Sequence, residues 1–111
     1  KLSLEDRVQA IGRGLFHEGK PYDFDFDFTR SHRLVCTEVV YRSFEGVGGM
    51  EFKLTKRVGR LTLAAEDLLR MALDGNCFEI VATYLPGASA IRHGEAAEQD
   101  LRTTITSLPA P

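Results

Sequence analysis

Apolar residues recur along the start of the chain at the spacing of a helix surface. In "LSLEDRVQAIGRGLF", Leu4, Val8, Ile11 and Leu15 return every three or four positions, Ser3 offers an N-cap, and Glu5 and Asp6 occupy the first turn. A first helix is predicted there, ending between Gly12 and Gly19. The period then changes. In "YDFDFDF", Tyr22, Phe24, Phe26 and Phe28 alternate with Asp23, Asp25 and Asp27, which predicts a half-buried strand with rings on one face and carboxylates on the other.

Helical spacing resumes in "RLVCTEVVYRSFEGVGG". A second helix is predicted to start close to Cys36, to turn Val35, Val39, Val40 and Phe44 inward, and to end at Gly46, Gly48 and Gly49. "MEFKLTKRVGRLTL" alternates around Gly59 and predicts short strands or a hairpin. "TLAAEDLLRMALDG" predicts a third helix capped by Thr62, burying Leu68, Leu69, Met71, Ala72 and Leu73 and stopping at Gly75. "CFEIVATYL" reads as a strand, and after it the periodicity fades. The order of elements predicts an α+β fold over residues 1–95, followed by a tail, 96–111, with a short helix at most.

Composition narrows the function. A chain of 111 residues suits one domain with a modest core. Fourteen Lys and Arg against sixteen Asp and Glu, with no basic block, argue against nucleic acid as a partner. No apolar run approaches the roughly 18 residues that span a bilayer, so no transmembrane segment is expected. The first residue is Lys1 rather than Met, which leads us to expect a leader or a larger segment upstream. Cell envelope and cytoplasm both stay open as compartments. Cys36 and Cys77 match neither a disulfide scaffold nor paired zinc spacing; two free thiols are expected, with a disulfide as the alternative.

Two stretches carry candidate chemistry. "DFDFT", Asp25 to Thr29, has the D-x-D-x-T form of phosphoryl-transfer enzymes, but "PYDF" stands where such a motif has a continuous apolar strand. A calcium loop counted from Asp23 places Phe28 at the turn glycine and Leu34 at the bidentate glutamate. The expected role of the aspartates is therefore a solvated strand face, with no metal and no cofactor. The cysteine differs. A thiol at a helix N-terminus meets unpaired N–H groups and the positive end of the macrodipole, which favour thiolate and can hold an oxyanion. A small buried hydrophobe is the alternative role for Cys36. Cys77 is expected to be buried packing, and His17 and His93 surface residues. Glu38 is expected in the first turn, and Arg30, Arg33 and Arg42 flank the cysteine as solvated charges or as aids to thiolate or substrate carboxylate binding.

"GKPYDFDFDF", then "VCTEVVYRSF", then "TLAAEDLLR" resembles the G-x-P-Y-D...F, C-[ST]-E-[LV]-V-Y and later s-P-x-D-L succession of the circularly permuted papain-like amidases, the YiiX and YaeF group. These are distant relatives of NlpC-type cell-wall hydrolases and of lecithin:retinol acyltransferase-like enzymes. The resemblance covers about residues 12–85, most sharply from Cys36 to Tyr41. It implies a papain-like helix packed on a small antiparallel sheet, incomplete at the N-terminus, with Cys36 as nucleophile and Tyr22 lining the substrate site. It further implies hydrolysis or transfer of an amide or ester acyl group, from a cell-wall peptide or a lipid, through an acyl-thioester.

The family's histidine precedes its cysteine on an apolar strand, and neither His17 nor His32 stands in such a run. Either an upstream half supplies it, or the chain is a noncatalytic binding domain that keeps the papain-like shell. His32 is the local alternative base, four residues before Cys36 and on the same face if the helix starts early. Apolar surface left by a missing half would favour self-association or pairing with that half.

Overall fold

The computed structural model describes residues 1–108. Two compact units divide it, Lys1–Ala64 and Ala65–Pro111. The first unit holds α1 (Leu4–Phe16), α2 (Cys36–Phe44), β1 (Thr55–Arg57) and β2 (Arg60–Thr62). The second holds α3 (Ala65–Leu73), β3 (Ala82–Thr83), β4 (Arg92–His93) and α4 (Gly94–Ser107). Among the described residues the fold is α+β, with four α-helices and two antiparallel two-stranded sheets. No helix among them is long and apolar enough to cross a membrane.

In the first unit, α1 begins where Ser3 predicts. The Ser3 hydroxyl accepts from the Asp6 N–H and the Asp6 carboxylate accepts from the Ser3 N–H, each at 3.1 Å, so both donors of a capping box are satisfied. The apolar stripe, however, points outward. Leu4, Val8, Ile11 and Leu15 are 61–69 % exposed, whereas Ala10 is buried. A Cβ added at Gly14 would lie 3.2 Å from the Ser43 hydroxyl, so α1 comes close to α2 there, and Arg13 Nη1 donates to the Glu45 carbonyl at the end of α2 at 2.7 Å.

The aromatic–aspartate alternation does not form a strand. Only Tyr22 pairs, in a parallel bridge with Leu34, and the chain then turns. The cause is Asp23, whose carboxylate accepts from the N–H groups of Asp25 (3.0 Å) and Asp27 (2.7 Å), drawing off the donors a ladder would use. The expected facing is also reversed at the start of the segment. Asp23 is buried and Phe24 is 79 % exposed, and only Phe28 of the rings is buried.

The core of this unit includes Phe28, Leu34, Val35, Val47, Met50, Phe52 and Leu63, with Tyr41 set against the rings of Phe28 and Phe52 at 6.2 and 5.9 Å. Gly46, at φ 78°, ends α2 as expected. The predicted hairpin is present, pairing Thr55 with Thr62 and Arg57 with Arg60; Val58 and Gly59 both take left-handed backbone, as a two-residue primed turn requires. Thr62 serves this hairpin, donating to the Thr55 carbonyl at 3.0 Å, and is not the cap of α3.

In the second unit, α3 closes at Gly75 as predicted. The Gly75 N–H donates to Ala72 and the Asn76 N–H to Met71, a Schellman pair. Leu68, Met71, Ala72 and Leu73 are half-buried and Leu69 is exposed, a shallower burial than its pattern implied. Of the expected strand 77–85 only Ala82 and Thr83 pair, with His93 and Arg92. Cys77 sits at φ 71° and is exposed, not packed. The expected tail contains α4, which buries Ala97, Leu101 and Ile105. Asp100 of α4 accepts from the Thr83 hydroxyl at 2.8 Å and pairs with Arg92 at 2.9 Å, tying both short strands to the helix.

Candidate active site

Cys36 is the first residue of α2 and is exposed. The residue before it, Val35, is extended and 2 % exposed, and no side chain caps the helix. The sulfur therefore projects from a buried anchor at a helix end whose first N–H groups lack intrahelical acceptors. The macrodipole places partial positive charge at the same point.

The approach to Cys36 is fixed by backbone. The Asp23 N–H donates to the Leu34 carbonyl (3.2 Å) and the Leu34 N–H to the Pro21 carbonyl (3.1 Å), so Tyr22 lies beside the residue two before Cys36. Tyr22 is 47 % exposed and clusters edge-on with Phe24 and Phe26 at 4.9 and 6.3 Å. Three rings thus stand in solvent along the segment entering the helix.

One turn into α2, Glu38 is fully buried. Its Oε1 accepts from Arg42 Nε at 3.0 Å, and Arg42 Nη2 donates to the carbonyls of Phe28 (2.9 Å) and Arg30 (3.1 Å). This i, i+4 pair clamps the 21–34 loop to the helix. Glu38 Oε2 has no hydrogen-bond partner. Burial pushes the Glu38 carboxyl above its ordinary value of 4.5, against the opposing pull of Arg42 and the Val35 N–H. The folded value exceeds the unfolded one, so the ionised group opposes folding, and that cost is relieved as pH falls through the folded value toward 4.5.

The histidines divide. His17 caps the C-terminus of α1, where its Nδ1 lies 2.9 Å from Lys20 Nζ, and Lys20 also donates to the Ser31 carbonyl at 2.7 Å. Burial, then Lys20 and Arg42, hold the imidazole below 6.5, favouring the neutral ring that accepts from Lys20. His32 is exposed and lines a cleft of about 210 Å³ with Asp23, Asp25, Asp27, Arg30 and Arg33. Because α2 starts at Cys36, His32 lies outside the helix and the same-face relation expected of the pair is not made. Among the described residues no hydrogen bond joins Cys36 to a histidine. His93 is exposed, as expected.

The aspartates are occupied with the loop itself. Asp27 accepts from the Thr29 hydroxyl (2.6 Å) and N–H (3.1 Å) and pairs with Arg30 at 3.2 Å, while Arg60 donates to the Asp25 carbonyl. The hydrogen bonds from Thr29 hold the Asp27 carboxyl below its ordinary range. Among the described residues no group of three or more His, Cys, Asp or Glu is placed to hold a metal ion. Of the flanking arginines, Arg42 and Arg30 are committed to these bonds, and Arg33 faces the cleft. The Glu38–Arg42 spacing was readable as a helical charge pair; nothing in the alternation of Asp23 signalled its burial. Comparison with protein-family models, with curated proteins and with solved structures finds no match.

Proposed function

We propose that Cys36 is the nucleophile of a thiol hydrolase or acyltransferase of the permuted papain-like kind. The observation that carries this reading is the position of the sulfur: exposed, at the first residue of an uncapped helix, on a buried valine anchor. The thiolate attacks an amide or ester carbonyl carbon, and the free N–H groups of the first turn receive the oxyanion. Collapse expels an amine or alkoxide, which takes a proton, and leaves an acyl-thioester on Cys36. Water then releases a carboxylate, or an alcohol or amine takes the acyl group. His32 is the imidazole this chain offers as the proton acceptor, since His17 Nδ1 faces Lys20. Cell-wall peptides suit the charged cleft, and lipid acyl groups suit the exposed rings of Tyr22, Phe24 and Phe26.

Intact-mass analysis after incubation with a p-nitrophenyl acyl ester tests this. A single hydroxylamine-labile acyl group on Cys36, absent from Cys36→Ser, is expected. Acylation of Cys77 or of lysines alone would refute it. The second reading, a noncatalytic binding domain with a papain-like shell, draws on the commitment of His17 to Lys20 and the position of His32 outside α2. It predicts no acyl-enzyme at Cys36.

A further inference from the structure

Glu38 and Arg42 do more than join two turns of α2. Glu38 is fully buried; its Oε1 accepts from Arg42 Nε at 3.0 Å, while its Oε2 has no hydrogen-bond partner. A buried ion pair with an unmatched oxygen contributes little net stability, because desolvation offsets the attraction. Its effect here is on direction. With Nε engaged, the planar guanidinium presents Nη2 to the 21–34 loop, where it donates to the Phe28 carbonyl at 2.9 Å and to the Arg30 carbonyl at 3.1 Å. The next backbone anchor is Leu34, whose N–H donates to the Pro21 carbonyl at 3.1 Å and whose carbonyl accepts from Asp23 at 3.2 Å. Only Ser31, His32 and Arg33 lie between these two anchors. Beyond them the chain runs through buried Leu34 and Val35 into Cys36.

We propose that Arg42, aimed by Glu38, is a positioning residue for His32, the proton acceptor of the acyl-transfer reading on which this inference rests. Arg42 pins one end of a three-residue span that carries the imidazole, and the thiol follows just past the other end. Lys20 holds the middle of the span, donating to the Ser31 carbonyl at 2.7 Å. Fixing the backbone of an exposed histidine narrows the arrangements its ring samples, which lowers the entropy lost when the ring takes a proton. Arg42 Nε and Nη2 are both taken up by Glu38 and the two carbonyls, so the arginine acts through the loop.

The test is the rate at which p-nitrophenyl acetate acylates the full chain between about pH 5 and 9, with peptide mass spectrometry identifying the acceptor and circular dichroism checking the fold. Wild type, Arg42→Gln, His32→Gln and the double variant form the cycle. Arg42→Gln is expected to slow acylation on the order of tenfold where His32 is present and by less than about twofold in the His32→Gln background. It is also expected to remove the same part of the acid limb of the profile that His32→Gln removes. Arg42→Lys keeps a cation beside buried Glu38 but cannot span the carboxylate and both carbonyls, so it supplies a second variant with the same expected coupling should Arg42→Gln unfold. Equal slowing in both backgrounds, a profile lowered without change of shape, or a rate indifferent to His32→Gln overturns the positioning role and leaves Cys36 as the nucleophile. No acyl group on wild-type Cys36 overturns the acyl-transfer reading and this inference with it.

Discussion

Helices α1 and α4 differ both in the signal their sequences carry and in what they bury. In α1 four aliphatic residues at helical spacing stand in solvent, while Ala10 is buried, Gly14 comes close to Ser43 and Arg13 donates to the Glu45 carbonyl. In α4 the apolar positions are sparse, yet Ala97, Leu101 and Ile105 are buried and Asp100 secures β3 and β4. A periodic stripe thus forecasts that a helix forms. What covers the stripe is decided by the surfaces available, and here α1 meets α2 at Gly14 and Arg13, off the stripe.

Substitutions sharpen this contrast. Leu101→Ala should cost the most, about 3 kcal/mol in urea unfolding, because a buried side chain leaves a cavity. Ala10→Leu should follow at about 2 kcal/mol through overpacking on the inner face of α1; a smaller loss would show that α1 is loosely held. The C-terminal cap of α1 predicts a pH effect. Since the folded imidazole of His17 titrates below 6.5, the unfolded chain binds its proton first, and stability should fall as pH drops through 6.5 toward the folded value. His17→Asn should flatten that slope in melting curves taken between pH 8 and 5. Val8→Gln, at concentrations where the chain is monomeric, should change stability by less than about 0.5 kcal/mol. A larger loss would mean that the α1 stripe already serves the fold.

Much of the local structure was legible. Ser3 with Asp6, Gly46 and Gly75 are chain-local signals, and each marks the helix end it predicted. The start of α2 at Cys36 was readable for the same reason, since the apolar run begins there. The strand expected over Tyr22–Phe28 failed because a period of two does not register where a carboxylate bends back. Asp23 takes two backbone donors from residues that the alternation sets beside it. The register of the rings followed, with Phe24 turned out and Asp23 turned in. The tail concealed α4 because Leu101 and Ile105 are separated by threonines and a charge, so burial depended on partners distant in sequence. Around the candidate site, the place of Cys36 at the start of α2 was readable from its segment, whereas a role for Tyr22 was expected on the resemblance alone. The clamp of Glu38 and Arg42 onto the Phe28 and Arg30 carbonyls required the loop's path.

The central claim is that Cys36 is activated by its place at the start of α2. Both cysteines are free and exposed, so Cys77, which lies outside any helix, is an internal control. Competitive iodoacetamide labelling of the folded chain at pH 7, read by peptide mass spectrometry, should modify Cys36 on the order of ten times faster than Cys77, with the difference abolished in urea. Equal rates in the folded chain, or faster labelling of Cys77, would contradict the account.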